Sequence, residues 1–151
     1  MSRFAWTPGA VREALGLRTE LQDGGVVYSG ISTDSRSISE GELYVALRGE
    51  HFDGHDFVAD AFAGGATGAV VSRPVEVQSR EQLYPVEETL VALGTLAAYR
   101  RQALDVPVVA ITGSTGKTST KDLACAAIGG ESRVHATSGN LNNRIGMPLT
   151  L

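Results

Sequence analysis

Apolar runs separated by turn residues divide this chain into alternating strands and helices. Thr7 followed by Pro8 predicts a helix start, because a threonine hydroxyl caps free amides and proline suits the first helical position. Gly16 predicts the end of that helix. The next runs predict strands at residues 26–28, 31–36, 43–47 and 69–71, the second leading into a polar turn, and a helix at residues 55–63. The strand–helix–strand order at residues 43–47, 55–63 and 69–71 predicts a crossover unit.

The same alternation resumes after residues 74–81, the most linker-like part of the chain. The elements predicted there are strands at residues 82–86, 106–111 and 133–137, a helix at residues 87–102, and a helix that runs from the loop after residue 111 to Gly129-Gly130. A boundary near Val86 divides the chain into domains at residues 1–85 and 86–151. Strands and helices that alternate in this way predict an α/β fold.

The loop after the strand at residues 106–111 has the composition of a phosphate-binding site. Its small residues let successive N–H groups point at one oxyanion, and the following helix N-terminus adds its positive end. Lys117 can reach the β- and γ-phosphates as a point charge, and the Thr118 hydroxyl can bind Mg²⁺. The candidate nucleotide-binding residues are Gly113, Ser114, Thr115, Gly116, Lys117, Thr118 and Ser119. The usual motif has a glycine where this chain has Ile111, so this is a shortened variant, and an ordinary strand–turn–helix corner is the alternative interpretation.

Composition and charge argue against two classes of binding partner. The chain has 151 residues, a formal net charge of −4 and no basic stretch, which argues against nucleic acid or an anionic membrane. No apolar run is long enough to span a bilayer and the N-terminus lacks a signal-peptide core, so we expect a cytoplasmic protein. The single cysteine, Cys125, excludes an internal disulfide, and the three histidines lack zinc-ligand spacing with it.

An asparagine-rich run follows the predicted strand at residues 133–137. Asn140, Asn142 and Asn143 offer several amide donors and acceptors just past a strand end, which is where open α/β sheets bind ligands. A solvated turn is the alternative interpretation. The apolar residues that come next resemble the start of a helix.

Four motifs, in order along nearly the whole chain, carry a resemblance to a known family. They are Thr-Asp-Ser-Arg at residues 33–36, the segments at residues 42–50 and 52–57, the glycine-poor phosphate loop at residues 111–119, and the asparagine run at residues 139–151. In these motifs the chain resembles the N-terminal part of the Mur ligases, the ATP-dependent enzymes that build the peptidoglycan stem peptide. The resemblance implies a small N-terminal α/β UDP-binding domain followed by the first part of a P-loop parallel-sheet ATPase domain.

The asparagine run is most similar to that of the member that adds D-alanyl-D-alanine. In that reaction ATP phosphorylates the terminal carboxylate of UDP-N-acetylmuramoyl-tripeptide, and the amine of D-alanyl-D-alanine attacks the acyl phosphate. The resemblance implies that Lys117 is catalytic, that Thr118 binds Mg²⁺, and that Ser35 and Arg36 contact the UDP portion. Asn140, Asn142 and Asn143 would hold the sugar-peptide end. The implied role is in cell-wall biogenesis, and through it in cell shape, cell division and the cell cycle.

The family's middle domain continues beyond the position of Leu151, and an amine-binding domain follows it. We therefore expect the full-length protein to be a monomer and this polypeptide alone to be inactive. The first 80 or so residues are expected to fold alone, and those after them to be strained, mobile or sticky. For His55 we favour a structural role at a helix entry over a catalytic one.

Three other functions remain open at this point. The chain could be a UDP-sugar-peptide binding module without catalysis, or the related ligase that adds the third stem-peptide residue, against which the asparagine run argues. A small kinase or GTPase is a third possibility, although such enzymes have no need of the N-terminal block and the chain has no guanine-reading motif.

Overall fold

The computed structural model describes residues 4–18, 25–77, 83–129, 134–137 and 143–151. Its centre is a four-stranded parallel sheet in which each strand lies beside the next one along the chain. The strands are β1 (Ile31–Ser32), β2 (Leu43–Val45), β3 (Gly68–Val71) and β4 (Leu83–Pro85). The predicted α/β class is confirmed.

Helices cover both faces of this sheet. One face packs against α1 (Pro8–Ala14) and α3 (Thr89–Ala103), and the other packs against α2 (Val58–Ala63), which a 3₁₀ turn at Gly54–Phe57 precedes. Two more helices follow along the chain, α4 (Lys117–Ile128) and α5 (Gly146–Leu149). None of the helices in the described ranges is long and apolar enough to cross a membrane.

Successive side chains of β2 go to opposite faces of the sheet. Leu43 and Val45 belong to the core cluster that includes α1 and α3, whereas Tyr44 packs with α2. Because both faces are covered, every position of β2 and β3 is buried, and these strands have unbroken apolar sequences rather than alternating ones.

The N-terminal helix follows its sequence signals. The Thr7 hydroxyl accepts a hydrogen bond of 3.1 Å from the Ala10 N–H, Pro8 occupies the first turn, and Gly16 has a φ of +65° just after the helix. The segment before α1 also contacts α3 through an aromatic cluster of Phe4, Trp6 and Tyr99, in which the Phe4 and Trp6 ring centroids are 4.9 Å apart.

Three predicted strands are wrong where the structure describes them. Tyr28 forms only an isolated antiparallel bridge with Trp6, and residues 106–111 and 134–137 have no strand structure. A strand requires a neighbour that pairs its N–H and C=O groups over several residues. Tyr28 has such a partner at one position only, and residues 106–111 and 134–137 belong to no sheet of the described chain. Val109, within the predicted strand at residues 106–111, is 77% exposed. The predictions for residues 78–82, Gly130 and Arg133 lie outside the described residues.

The division into residues 1–85 and 86–151 stays a prediction. Its boundary falls between β4 and α3, yet Ala92, Leu93 and Leu96 of α3 are buried in the core cluster on the sheet. By contrast, α4 has no buried residue. The packing therefore joins α3 to the sheet more closely than the sequence indicates.

Candidate functional site

The predicted phosphate loop leads directly into the N-terminus of α4. Gly116 precedes the helix with a φ of +78°, a left-handed conformation that favours glycine, and no side chain caps the first turn. The first amides of α4 are therefore left without a side-chain acceptor. Lys117 folds back across the loop, and its Nζ donates a hydrogen bond of 2.5 Å to the Gly113 carbonyl oxygen.

The loop is exposed along its length, since residues 112–116 are all exposed and Lys117 is half-buried. Four exposed hydroxyl-bearing residues are among the predicted site residues: Ser114, Thr115, Thr118 and Ser119. The geometry brings the candidate nucleotide-binding residues together, and their role stays a prediction.

The Asp34–Arg36 turn lies just past the carboxyl end of β1 and contains the predicted substrate residue Ser35. The Arg36 guanidinium donates two hydrogen bonds to Asp34, from Nε at 2.9 Å and from Nη2 at 2.7 Å. The bond from Arg36 holds the pKa of the Asp34 carboxyl at about 2. Since a guanidinium has five N–H groups, this pairing leaves the Nη1 side of Arg36 available to a second anion.

A polar network connects the 3₁₀ turn to the end of β3. His55 is 5% exposed, its Nδ1 lies 2.5 Å from the Asp53 carboxylate, and its Nε2 lies 2.8 Å from the Ser72 backbone nitrogen. A backbone N–H can only donate, so Nε2 accepts and Nδ1 carries the proton that is donated to Asp53. Arg73 also donates to Asp53 and to Asp56.

Both ring nitrogens of His55 are thus used within the protein. This arrangement supports the structural role that we expected for His55 at the helix entry. Sequence analysis missed its partner Ser72 and also Arg73, which binds Asp53; both residues come just after β3, and the local signal was Asp53, two residues before the histidine.

Acid should weaken the fold through Asp53. Partial burial alone raises the pKa of this carboxyl, but hydrogen bonds from the His55 backbone, the His55 ring and Arg73 outweigh it and lower the pKa from 3.8 to about 2. Its stabilisation is therefore present above about pH 4 and is lost as the pH falls towards 2. We expect the difference in thermal midpoint between the wild type and Asp53→Asn to shrink over that range. A difference that stays constant down to pH 2 contradicts this.

The start of the 3₁₀ turn depends on Gly54. A Cβ at this position would lie 2.7 Å from the Leu47 carbonyl oxygen and 2.8 Å from the Leu47 nitrogen, and this backbone has no flexible end that could move away. We expect Gly54→Ala to lower the free energy of unfolding by about 2 kcal/mol or more. Gly94 within α3 is the matched control, because a Cβ there meets nothing within 4 Å. Gly94→Ala should raise stability by about 0.5–1 kcal/mol. Equal effects in urea denaturation would overturn the argument.

Of the three predicted asparagines, only Asn143 lies within the described residues; Asn140 and Asn142 lie outside them. The Asn143 Oδ1 accepts hydrogen bonds from the Ile145 N–H at 3.1 Å and the Gly146 N–H at 2.7 Å. This side chain therefore caps the start of α5, and its amide NH₂ is the part left to contact a ligand.

A cavity of about 750 Å³ lies at the amino edge of the sheet, the edge opposite the Asp34–Arg36 turn. Trp6, Tyr28, Ile31 and Leu96 line it together with α5 residues, and it contains none of the predicted site residues. Within the described ranges, no group of three or more His, Cys, Asp or Glu side chains is arranged to hold a metal ion.

These features define a class: an α/β protein with a covered parallel sheet and an exposed loop of small residues that leads into a helix N-terminus. The model of the Mur ligase family catalytic domain matches residues 27–101, and the model of the Mur ligase middle domain matches residues 111–151. The chain belongs to the Mur ligase family.

Individual relatives agree with this assignment. The chain is 44% identical over 135 residues to the UDP-N-acetylmuramoyl-tripeptide–D-alanyl-D-alanine ligase of Escherichia coli K12, covering 89% of this chain and 29% of that enzyme. A crystal structure of MurF from Acinetobacter baumannii matches with a TM-score of 0.85 and 36% identity over 97% of this chain and 32% of that one.

A further relative was solved with a nucleotide. MurF ligase from Thermotoga maritima, in complex with ADP, matches with a TM-score of 0.71 and 34% identity over 80% of this chain and 28% of that one. The chain spans less than a third of the length of each of these three relatives.

Proposed function

We propose that these residues are the UDP-precursor-binding and phosphate-loop part of an ATP-dependent ligase that adds D-alanyl-D-alanine to UDP-N-acetylmuramoyl-tripeptide. The observation that carries this proposal is the 44% identity to the E. coli enzyme, which extends over 89% of this chain. The reaction would contribute an amide bond to the peptidoglycan stem peptide.

ATP and Mg²⁺ fit the loop before α4. The uncapped amides at the start of α4 and the Lys117 ammonium would bind the β- and γ-phosphates, and the Thr118 hydroxyl would contribute one oxygen ligand to Mg²⁺. Bound ATP supplies the phosphoryl group that activates the acceptor carboxylate. Lys117 would leave its bond to the Gly113 carbonyl oxygen and stabilise the charge on that group during its transfer.

The acceptor substrate would bind across two parts of the chain. Ser35 and the free side of the Arg36 guanidinium would contact the UDP portion, since Asp34 already holds that guanidinium in place. Asn140, Asn142 and the amide NH₂ of Asn143 would hold the sugar-peptide end near the phosphate loop. We place the reaction in the cytoplasm, where ATP and nucleotide-linked precursors are made, and propose that the enzyme acts as a monomer.

The test is an amide-forming assay on the protein expressed from its complete reading frame. Phosphate release that requires both UDP-N-acetylmuramoyl-tripeptide and D-alanyl-D-alanine is the expected result. Phosphate release with the UDP-linked dipeptide and a single diamino acid would instead assign the protein to the third-residue ligase. Binding of the UDP precursor without phosphate release would leave a binding module and overturn the ligase proposal.

A further inference from the structure

The two lysines of the chain lie one turn apart on the same face of α4. Lys117 and Lys121 are four residues apart, and on an α-helix that spacing puts two side chains on one face. Positions 117, 121, 124 and 125 of α4 are half-buried, whereas its other positions are exposed. This face is therefore the one that other parts of the chain approach.

Lys121 connects α4 to the segment at residues 134–137. Its side chain is 23% exposed, and its Nζ donates a hydrogen bond of 3.0 Å to the Thr137 carbonyl oxygen. The Nζ also lies 3.2 Å from the carboxylate of Asp122, whose side chain is 65% exposed. Because water screens an ion pair as exposed as this one, the bond to Thr137 contributes more than the ion pair to the position of the lysine.

Thr137 is in turn bonded to the end of α5. Its hydroxyl forms a hydrogen bond of 3.3 Å with that of Thr150, and the Thr150 hydroxyl also donates to the Gly146 carbonyl oxygen at 2.9 Å. The Gly146 N–H donates to the Asn143 Oδ1 at 2.7 Å, at the start of the same helix. These contacts connect Lys121, through Thr137 and α5, to the residue that carries the proposed substrate amide.

We propose that Lys121 is a positioning residue of the ligase reaction, which holds α5 and the amide NH₂ of Asn143 in place relative to Lys117. This inference rests on the proposed function, in which Asn143 contacts the acceptor substrate and Lys117 the phosphoryl group. Phosphoryl transfer requires the acceptor carboxylate and the γ-phosphate to meet, and a displacement of about 1 Å can reduce the rate about a hundredfold. Since both lysines belong to α4, one helix presents Lys117 and also fixes the position of the substrate amide.

Steady-state kinetics of the protein expressed from its complete reading frame test this role. Lys121→Ala should lower kcat/KM for UDP-N-acetylmuramoyl-tripeptide about ten- to a hundredfold. The ADP affinity should change by less than about threefold, because Lys121 lies a full helical turn beyond the loop and solvent screens its charge there. The thermal midpoint should stay close to that of the wild type, because neither core cluster contains Lys121.

Two further variants separate the bond to Thr137 from the charge of the lysine. Lys121→Arg should recover most of the lost kcat/KM, because a guanidinium can also donate to a carbonyl oxygen. Asp122→Asn is the matched control, because it removes the exposed ion pair and leaves the bond to Thr137, and it should have the kcat/KM of the wild type. A loss in Asp122→Asn as large as that in Lys121→Ala overturns the inference.

A double-mutant cycle with Asn143→Asp tests whether Lys121 acts through α5. An aspartate keeps an oxygen that can cap the helix and removes only the amide NH₂. If Lys121 acts through this amide, the double variant should lose little more kcat/KM than the more damaged single variant. Losses that multiply, or a parallel loss of ADP affinity in Lys121→Ala, assign Lys121 to the support of the phosphate loop and contradict the proposal.

The outcomes also distinguish this inference from the function on which it rests. If the wild type releases phosphate with both substrates and Lys121→Ala has the same kcat/KM, the positioning role is wrong and the proposed function stands. A wild type that releases no phosphate with both substrates present overturns the two proposals together.

Discussion

Replacing Lys117 with alanine should reduce ligase activity by about 100- to 1,000-fold in the protein expressed from its complete reading frame. Loss of one preorganised donor to a transferring charge typically has an effect of that size on kcat. Lys117 is the first residue of α4, so its charge adds to that of the helix N-terminus at the same point. The measurement is phosphate release at saturating concentrations of ATP and both other substrates.

Two controls separate this effect from a loss of structure. The only bond of the Lys117 side chain in the described part of the chain joins it to the Gly113 carbonyl oxygen of its own loop, so the thermal midpoint of Lys117→Ala should stay at the wild-type value. UDP affinity should also be unchanged, because the proposed UDP site lies at the edge of the β1–β4 sheet. Activity above a tenth of wild type with unchanged UDP affinity contradicts the role given to Lys117.

A polypeptide of residues 1–103 should unfold cooperatively, whereas residues 1–85 should show no cooperative transition. Without α3, the sheet face formed by Leu43, Val45, Val70 and Tyr84 loses the buried side chains of Ala92, Leu93 and Leu96 that pack against it. Deleting the apolar groups of a single buried leucine costs about 2–5 kcal/mol, and a small domain has only about 5–15 kcal/mol of stability in total.

Removal of residues 104–151 is the matched control for this experiment, because neither core cluster contains a described residue from that part of the chain. Urea denaturation of the two polypeptides and of the whole chain would be monitored by far-UV circular dichroism. If residues 1–85 unfold with the same midpoint as residues 1–103, the domain boundary lies near Val86, as the sequence indicates, and α3 is dispensable to the first domain.

Local sequence signals correctly predicted elements that short stretches of the chain specify by themselves. Thr7 and Pro8 predicted the start of α1, because a capping residue and a first-turn proline stand next to each other in the sequence. The apolar run of β2 predicted a strand, because a strand that is buried on both faces has no polar positions. Residues 106–111 have an equally apolar sequence, yet no described segment pairs with them. A run of this kind shows a preference for burial, but it does not show which segment would cover it.

The candidate site shows the same limit. The order of small residues, Lys117 and Thr118 was enough to predict a loop followed by a helix, because that geometry is local. The contact between His55 and Ser72 spans 17 residues and forms only once β3 is in place. The substrate contact of Asn143 stays a prediction, but its Oδ1 already caps the start of α5, a local use that residue type alone does not reveal.

The aromatic cluster at the N-terminal segment provides an intrinsic fluorescent probe. Trp6 is the single tryptophan of the chain, and its ring centroid lies 6.1 Å from that of Tyr99 on α3. Its emission should therefore shift when the N-terminal segment separates from α3, and should respond little to events around α4. Fluorescence excited selectively at tryptophan can follow the contact between the N-terminal segment and α3 in real time, without a label.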